Sequence, residues 1–166
     1  VEGDPAWPYM LKWQQVLGCS IRRDQWQRLW PDIQKISRSV QSQESSFKHM
    51  SLWYRTPQKL HQIFPEVSNL CWRGCGGVGD TVHVWWSCPL SMFWKEVLSH
   101  IKAVLGFPIH LDASSIVLGM HPADLQALSS QDWEVASNMI LAAKQLLALS
   151  WWSPRVPSIQ ELAGKL

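Results

Sequence analysis

The sequence contains no apolar run long enough to cross a bilayer. The longest candidate, Met139 to Trp152, is interrupted by Lys144, Gln145 and Ser150. A secretory leader pattern is also lacking. No paired acid/base carboxylates, nucleophile elbow or phosphate-cradling P-loop can be read, because the acidic residues are scattered. The glycine-rich run Gly76-Gly77-Val78-Gly79 does not open a helix. Strand alternation, internal repeats and heptads are missing too. These absences remove a membrane span and the familiar hydrolytic and nucleotide-cleaving classes. A mostly α-helical protein is expected.

What is there concentrates between Leu70 and Pro89, in LCWRGCGGVGDTVHVWWSCP. Three of the four cysteines, Cys71, Cys75 and Cys88, surround His83 in the pattern Cys-x3-Cys-x7-His-x4-Cys, which spans 18 residues. Three thiolates and one imidazole suit a tetrahedral Zn2+ ion, at about 2.3 Å for sulfur and about 2.0–2.1 Å for nitrogen. Glycines beside the first pair permit the tight turn that brings both sulfurs to one ion. The alternative is a set of reduced core cysteines beside a chance histidine. Four available ligands leave no open position for water, so a structural site is expected rather than a catalytic one. Binding energy at such a site doubles as folding energy, on the order of 10–16 kcal/mol in zinc peptides. The fourth cysteine, Cys19, lies far upstream, and a metal site in a reducing compartment is expected over two disulfides. His61, His100, His110 and His121 have no such cluster and read as ordinary histidines.

A length of 166 residues with 46% hydrophobic content fits one compact domain or two small packed parts. The expected organisation is an N-terminal helical segment over 1–66, the zinc-binding loop over 67–90 and a C-terminal helical segment over 91–166. The chain starts at Val1 and is expected to be a piece of a longer protein. Its 12 tryptophans exceed what a core of this size needs, so some are expected at an interface. Net charge is +2, yet residues 22–59 hold 8 basic against 3 acidic side chains. Arg22, Arg23, Arg28, Lys35 and Arg38 decorate that region, either as a solvated helix face or as phosphate contacts.

The periodicity predicts a helix from Tyr9 to Val16, and another from Arg22 that Pro31 breaks, kinks or restarts. Ser37 to Ser46 reads as a loop. A helix over Glu44–Tyr54 presents Phe47, Met50 and Tyr54. Thr56 and Pro57 cap and open the next helix, which runs to Ile63 or Phe64. Pro89 opens an amphipathic helix with Leu90, Phe93, Trp94, Val97, Leu98, Ile101, Val104 and Leu105 on its core stripe, ended by Gly106. The IVLGM stretch is expected to be extended, with one or two helical turns over Ala123–Leu128. The longest helix covers Gln131–Trp152, and a short one starts at the Ser158/Glu161 capping box.

Trp72 and Arg73 fall inside the first cysteine pair, and Trp85 and Trp86 between His83 and Cys88. Aromatic and basic residues interleaved with metal ligands suit single-stranded nucleic acid, with bases stacking on indoles at about 1–3 kcal/mol each. Trp72, Arg73 and Trp86, with Arg22, Arg23 and Arg28, are therefore candidate RNA or DNA contacts. Alternatively the indoles pack on the following helix and shield the metal.

The block LWYRTPQKLHQIFPEVSNLCWRGCGGVGDTVHVWWSCPLSMFWKEV resembles the C-terminal zinc-binding segment of reverse transcriptases from non-LTR retrotransposons of the long interspersed element type. The resemblance rests on Tyr54, Thr56 and Pro57 (with Arg55 between), on Cys71-Trp72-Arg73, on His83 to Cys88, and on Phe93-Trp94. AAKQLLALSWWSPRVPSIQEL resembles the family's last helix and tail, so that most of 20–166 is covered. The resemblance implies metal ligands at Cys71, Cys75, His83 and Cys88. It implies an accessory segment following a polymerase core that copies element RNA at a nicked target, within a cytoplasmic and nuclear ribonucleoprotein. Polymerase Asp-Asp and endonuclease motifs are absent from this chain, so the segment itself is expected not to be an enzyme. Single-stranded RNA or DNA and the polymerase core are its expected partners, and no membrane is. The alternatives are a structural or protein-interaction module with zinc as a staple, or an element remnant with no selected role.

Overall fold

A computed structural model describes residues 5–89, 92–121 and 128–166. Seven α-helices are described: α1 (Trp7–Leu17), α2 (Arg23–Ile36), α3 (Val40–Met50), α4 (Pro57–Ile63), α5 (Phe93–Leu105), α6 (Ser130–Leu149) and α7 (Ile159–Ala163). Two wide π-helical turns, His83–Ser87 and Ser114–Leu118, complete the set. No strand occurs among the described residues, only an isolated bridge between Leu70 and Val78. The protein is a mostly α structure built around the Cys-Cys-His-Cys loop.

Helix α6 is the central packing element and touches α2, α3, α5 and α7. It buries Ala136, Met139, Ile140, Ala143 and Leu147, and leaves the expected Trp133 and Leu146 half-buried. Small residues at 136, 142 and 143 let the other helices approach closely. Helix α5 buries Phe93, Trp94, Val97 and Ile101. Gly106, at φ +81°, ends α5 in the left-handed conformation that glycine adopts without steric cost. Val104 is exposed, because the α5 stripe is narrower than its hydrophobicity suggests. Pro89 does not open this helix, which begins at Phe93; Leu90 lies outside the described residues.

Local sequence rules are overridden at several points. Helix α2 runs through Pro31, whose exposed ring costs one backbone bond while Trp26 and Leu29 anchor the helix ahead of it. Helix α3 starts at Val40, inside the serine-rich stretch expected to be a loop. Its serines are contact residues: Ser46 is buried, and Ser42 Oγ accepts from Gln145 Nε2 at 2.9 Å. The buried face of α3 is Ser46, His49 and Met50, so Phe47 points outward at 59% exposure and Tyr54 lies past the helix end. IVL is a buried helical turn rather than an extended piece. Asp112 Oδ1 accepts from Ser115 N–H at 2.8 Å and from both serine hydroxyls, which starts the turn. The turns expected over Ala123–Leu128 fall outside the described residues except for Leu128. Helix α1 and the Thr56, Gly106 and Ser158 boundaries agree with the sequence reading to within two residues.

Candidate metal centre

The loop after α4 turns back on itself through backbone bonds. Cys71 N–H donates to Gly77 O at 2.8 Å, Gly74 N–H to Cys71 O at 3.1 Å, and Gly79 N–H to Asn69 O at 2.9 Å. Gly74 and Gly76 take φ of +81° and +78°, which L side chains rarely adopt. This places the Cys75 sulfur beside Cys71. Asp80 then starts the return: its Oδ1 accepts from His83 N–H at 2.7 Å, and its carbonyl accepts from Val84 N–H at 3.0 Å. The π-helical turn His83–Ser87 brings Cys88 under the knuckle, with Cys88 N–H donating to His83 O at 3.0 Å.

The result is convergence. One ligand atom each from Cys71, Cys75, His83 and Cys88 lies within 4.8 Å of the others. Cys71 Sγ is 3.9 Å from Cys88 Sγ, and Cys75 Sγ is 3.2 Å from His83 Nε2. A tetrahedral ion with bonds of about 2.0–2.3 Å has ligand–ligand edges of about 3.5–3.8 Å, so the donor set fits one. Cys71 and Cys88 are free thiols, since a disulfide holds its sulfurs about 2.05 Å apart. Cys71 and Cys88 are buried, while Cys75 and His83 are half-buried on the outer side. Burial foremost pushes the Cys71 thiol up to about 11, and the charge of Cys88 adds to this against the lowering effect of the Arg73 backbone. Burial also holds His83 below its ordinary value. A bound cation supplies the positive charge that such thiolates need. Cys19 is exposed and stands outside the cluster.

The other sequence candidates are placed as follows. Arg73 Nη1 donates to Val84 O at 2.8 Å, and its buried Nε has no partner among the described residues. Trp72 is half-buried, with its ring 5.5 Å from Trp151 and 5.3 Å from Trp152. Trp86 is also half-buried, 6.0 Å from Trp94. Trp85 and Trp94 are buried, and Trp94 Nε1 donates to Trp85 O. Arg22, Arg23 and Arg28 are exposed at the start and on the surface of α2. Arg22 and Arg28 share Asp24, at 3.2 and 3.4 Å. The structure thus gathers the four ligands with Trp72, Arg73 and the 85–86 pair, and Arg22 and Arg28 border a cavity that Trp85 also lines.

Sequence reasoning missed three features. Trp53 and Trp152 are the most exposed indoles, at 64% and 63%. His49 is buried behind the metal loop, edge-on to Trp85 at 4.5 Å, and its Nε2 donates to Val117 O. Burial, then the charge of Lys144, hold His49 neutral. Its place on the Ser46/Met50 side of α3 was the available signal. No protein-family model matches the chain. None of the described helices is long and apolar enough to cross a membrane.

Proposed function

We propose that the four-ligand site takes Zn2+ and that the chain is a zinc-stapled accessory module of a non-LTR retrotransposon reverse transcriptase. Three sulfurs and one imidazole favour Zn2+ over the hard, oxygen-seeking ions. Four protein ligands fill a tetrahedron, so the ion is structural and closed to water. Its work is to hold α4 and α5 to the knuckle between them. Within the parent protein the module serves RNA and DNA engagement during target-primed reverse transcription, in a cytoplasmic and nuclear ribonucleoprotein, by packing on the polymerase core.

The observation that carries the packing role is the surface around the knuckle. Ile63, Phe64, Val67, Leu70 and Val78 are each 38–50% exposed. Leu70 and Val78 are neighbours through their bridge, and Val67 N–H donates to Phe64 O. Exposed apolar residues grouped in this way mark an interaction surface. Co-purification with the polymerase core tests the role. Phe64→Ser with Leu70→Ser abolishes it while zinc content stays near one per chain; retained co-purification rejects this surface. Metal analysis with circular dichroism tests the staple. Chelation lowers helicity and melting temperature, and an apo chain with an unchanged spectrum and melt contradicts it.

A second reading, direct contact with single-stranded RNA or DNA, is favoured by the exposed Trp152 beside Trp72 and by the arginines of α2. Titration with single-stranded RNA at two salt concentrations tests it. Binding without a salt slope, or none at low salt, removes it.

A further inference from the structure

Arg73 is the only lysine or arginine between Leu70 and Pro89, and Asp80 is the only acid. It lies two residues after Cys71 and two before Cys75. Gly74 N–H donates to Cys71 O at 3.1 Å, which places Arg73 inside the first turn of the knuckle. Burial dominates at the Cys71 sulfur and disfavours the thiolate, and the Arg73 backbone N–H opposes it.

The side chain of Arg73 crosses to the other half of the loop. Nη1 donates at 2.8 Å to Val84 O, the carbonyl of the residue after His83. Val84 is buried, and its own N–H donates to Asp80 O at 3.0 Å. One side chain thus ties the turn that carries Cys71 and Cys75 to the turn that carries His83 and Cys88. The charge on that tie has no obvious counterpart. A cation withdrawn from water normally meets an anion. Among the described residues no carboxylate pairs with Arg73, and its buried Nε has no partner. Asp80 Oδ1 is engaged instead by His83 N–H, at 2.7 Å.

We propose that Arg73 is a positioning residue of the metal site, and that its guanidinium balances the charge of the loaded cluster while it clasps the two halves of the loop. The inference rests on the Zn2+ reading. Three thiolates and a neutral imidazole around Zn2+ leave one net negative charge, partly on the buried Cys71 and Cys88. Such a charge is costly to bury without an opposite one. Arg73 supplies the only permanent positive side chain that the loop itself contains. Its field reaches the ligands: at His83 burial acts first, the Asp80 charge opposes it, and the Arg73 charge adds to it. Groups outside the ligand set that hold and tune ligands in this way change metal affinity by about 10–100-fold.

The test uses the full chain loaded with Zn2+ or Co2+, with Arg73→Met, Arg73→Gln and Arg73→Lys. Competition with a chromogenic chelator gives zinc affinity, and the sulfur-to-cobalt charge-transfer band reports the charge felt by the thiolates. Arg73→Met lowers zinc affinity about tenfold or more, and moves the band to longer wavelength, because no positive charge then stabilises the sulfur electrons. Arg73→Gln, which keeps an N–H donor without the charge, shifts the band in the same sense and stands in if Arg73→Met fails to fold. Arg73→Lys keeps the band at the wild-type position and restores most of the affinity. Unchanged affinity in the folded neutral variants overturns the proposal. A band that stays in place in the neutral variants, or moves equally in Arg73→Lys, leaves Arg73 only a structural tie and overturns the charge role. A wild-type chain that takes up neither ion removes the zinc reading and this inference together, whereas a loaded wild type with indifferent variants removes this inference alone.

Discussion

Gly79 lies flat against Pro57: a Cβ built on Gly79 would sit 2.5 Å from Pro57 Cγ and 2.9 Å from Pro57 Cβ. The contact is reinforced by Gln58 N–H, which donates to Gly79 O at 3.1 Å. Pro57 is the first residue of α4, and Thr56 caps that helix by accepting from Lys59 N–H at 3.2 Å. The end of the metal knuckle and the start of α4 are therefore one packed joint. The fit of the helix start against Gly79 presets the knuckle, and an ion held by the four ligands would order the start of α4 through the same joint.

Gly79→Ala is expected to destabilise the chain by about 1–3 kcal/mol, the usual cost of forcing an atom into a filled space. Backbone conformation is not the cause, since Gly79 is not among the positive-φ glycines. Pro57→Gly in the same chain should recover part of the loss by removing the ring. Melting curves of the two single variants and the double variant check this. Additive losses would show that the contact is not the source.

The four ligands should not be equivalent. Cys71 and Cys88 are buried, whereas Cys75 and His83 are half-buried. Cys75→Ser leaves three donors and a partly accessible position that water can fill, so zinc affinity falls while the helices persist. Cys88→Ser places a hydroxyl in a buried pocket and removes the ligand that joins the knuckle to the segment leading into α5. It should lower both metal content and helicity. Competition with a chromogenic chelator gives the affinities, and circular dichroism gives the helicity. The reverse order of helicity loss would contradict the burial argument.

The metal loop was legible because its determinants are local: spacing of ligands, positive-φ glycines and a capped helix on one side. The Ser158/Glu161 box and the Gly106 stop were legible for the same reason. What could not be read depends on partners remote in sequence. Phe47 looks like core and Ser46 does not, yet contact with α6 selects the serine face. The IVL turn is set by Asp112, whose capping competes with an extended conformation that Ile and Val favour locally. Tryptophan exposure was the least legible property. Trp151 is buried and Trp152 exposed, though they are adjacent, because Trp151 Nε1 reaches Arg55 O at 2.7 Å. Chemistry at the ligands follows from residue type; which indole faces solvent follows only from the fold.

Glu161 predicts a separable acid transition. Its carboxylate pairs with Arg155 at 2.7 Å and accepts from Ser158 N–H at 2.7 Å. The Arg155 guanidinium, then the Ser158 contacts, lower its pKa to about 2. A depressed folded pKa means that the unfolded chain takes up the proton first. The stabilisation is thus full above the ordinary range, near 4.5, and is lost as pH falls towards 2. Acid also protonates the metal ligands, so the informative quantity is the difference between wild type and Glu161→Gln. Their melting temperatures should differ most at neutral pH and converge as pH approaches 2. A constant difference across that range would remove Glu161 as the cause.

Arg73 and Trp152 separate the structural from the nucleic-acid role of the aromatic surface. Arg73 is tied inward to Val84 O, a carbonyl of a buried residue. Arg73→Ala leaves that acceptor unsatisfied and is expected to cost about 1–3 kcal/mol of stability. With the fold intact at low temperature, it should change RNA affinity little. Trp152 is the converse: its ring is 63% exposed and supports Trp72 from outside at 5.3 Å. Trp152→Ala should alter melting by less than about 1 kcal/mol, in keeping with a surface site. If the chain stacks bases, the same substitution should lower single-stranded RNA affinity by about 1–3 kcal/mol. Paired melting and titration of the two variants therefore give opposite signatures. RNA affinity that falls with Arg73→Ala and not with Trp152→Ala would place the contact at the knuckle, against the inward geometry of Arg73.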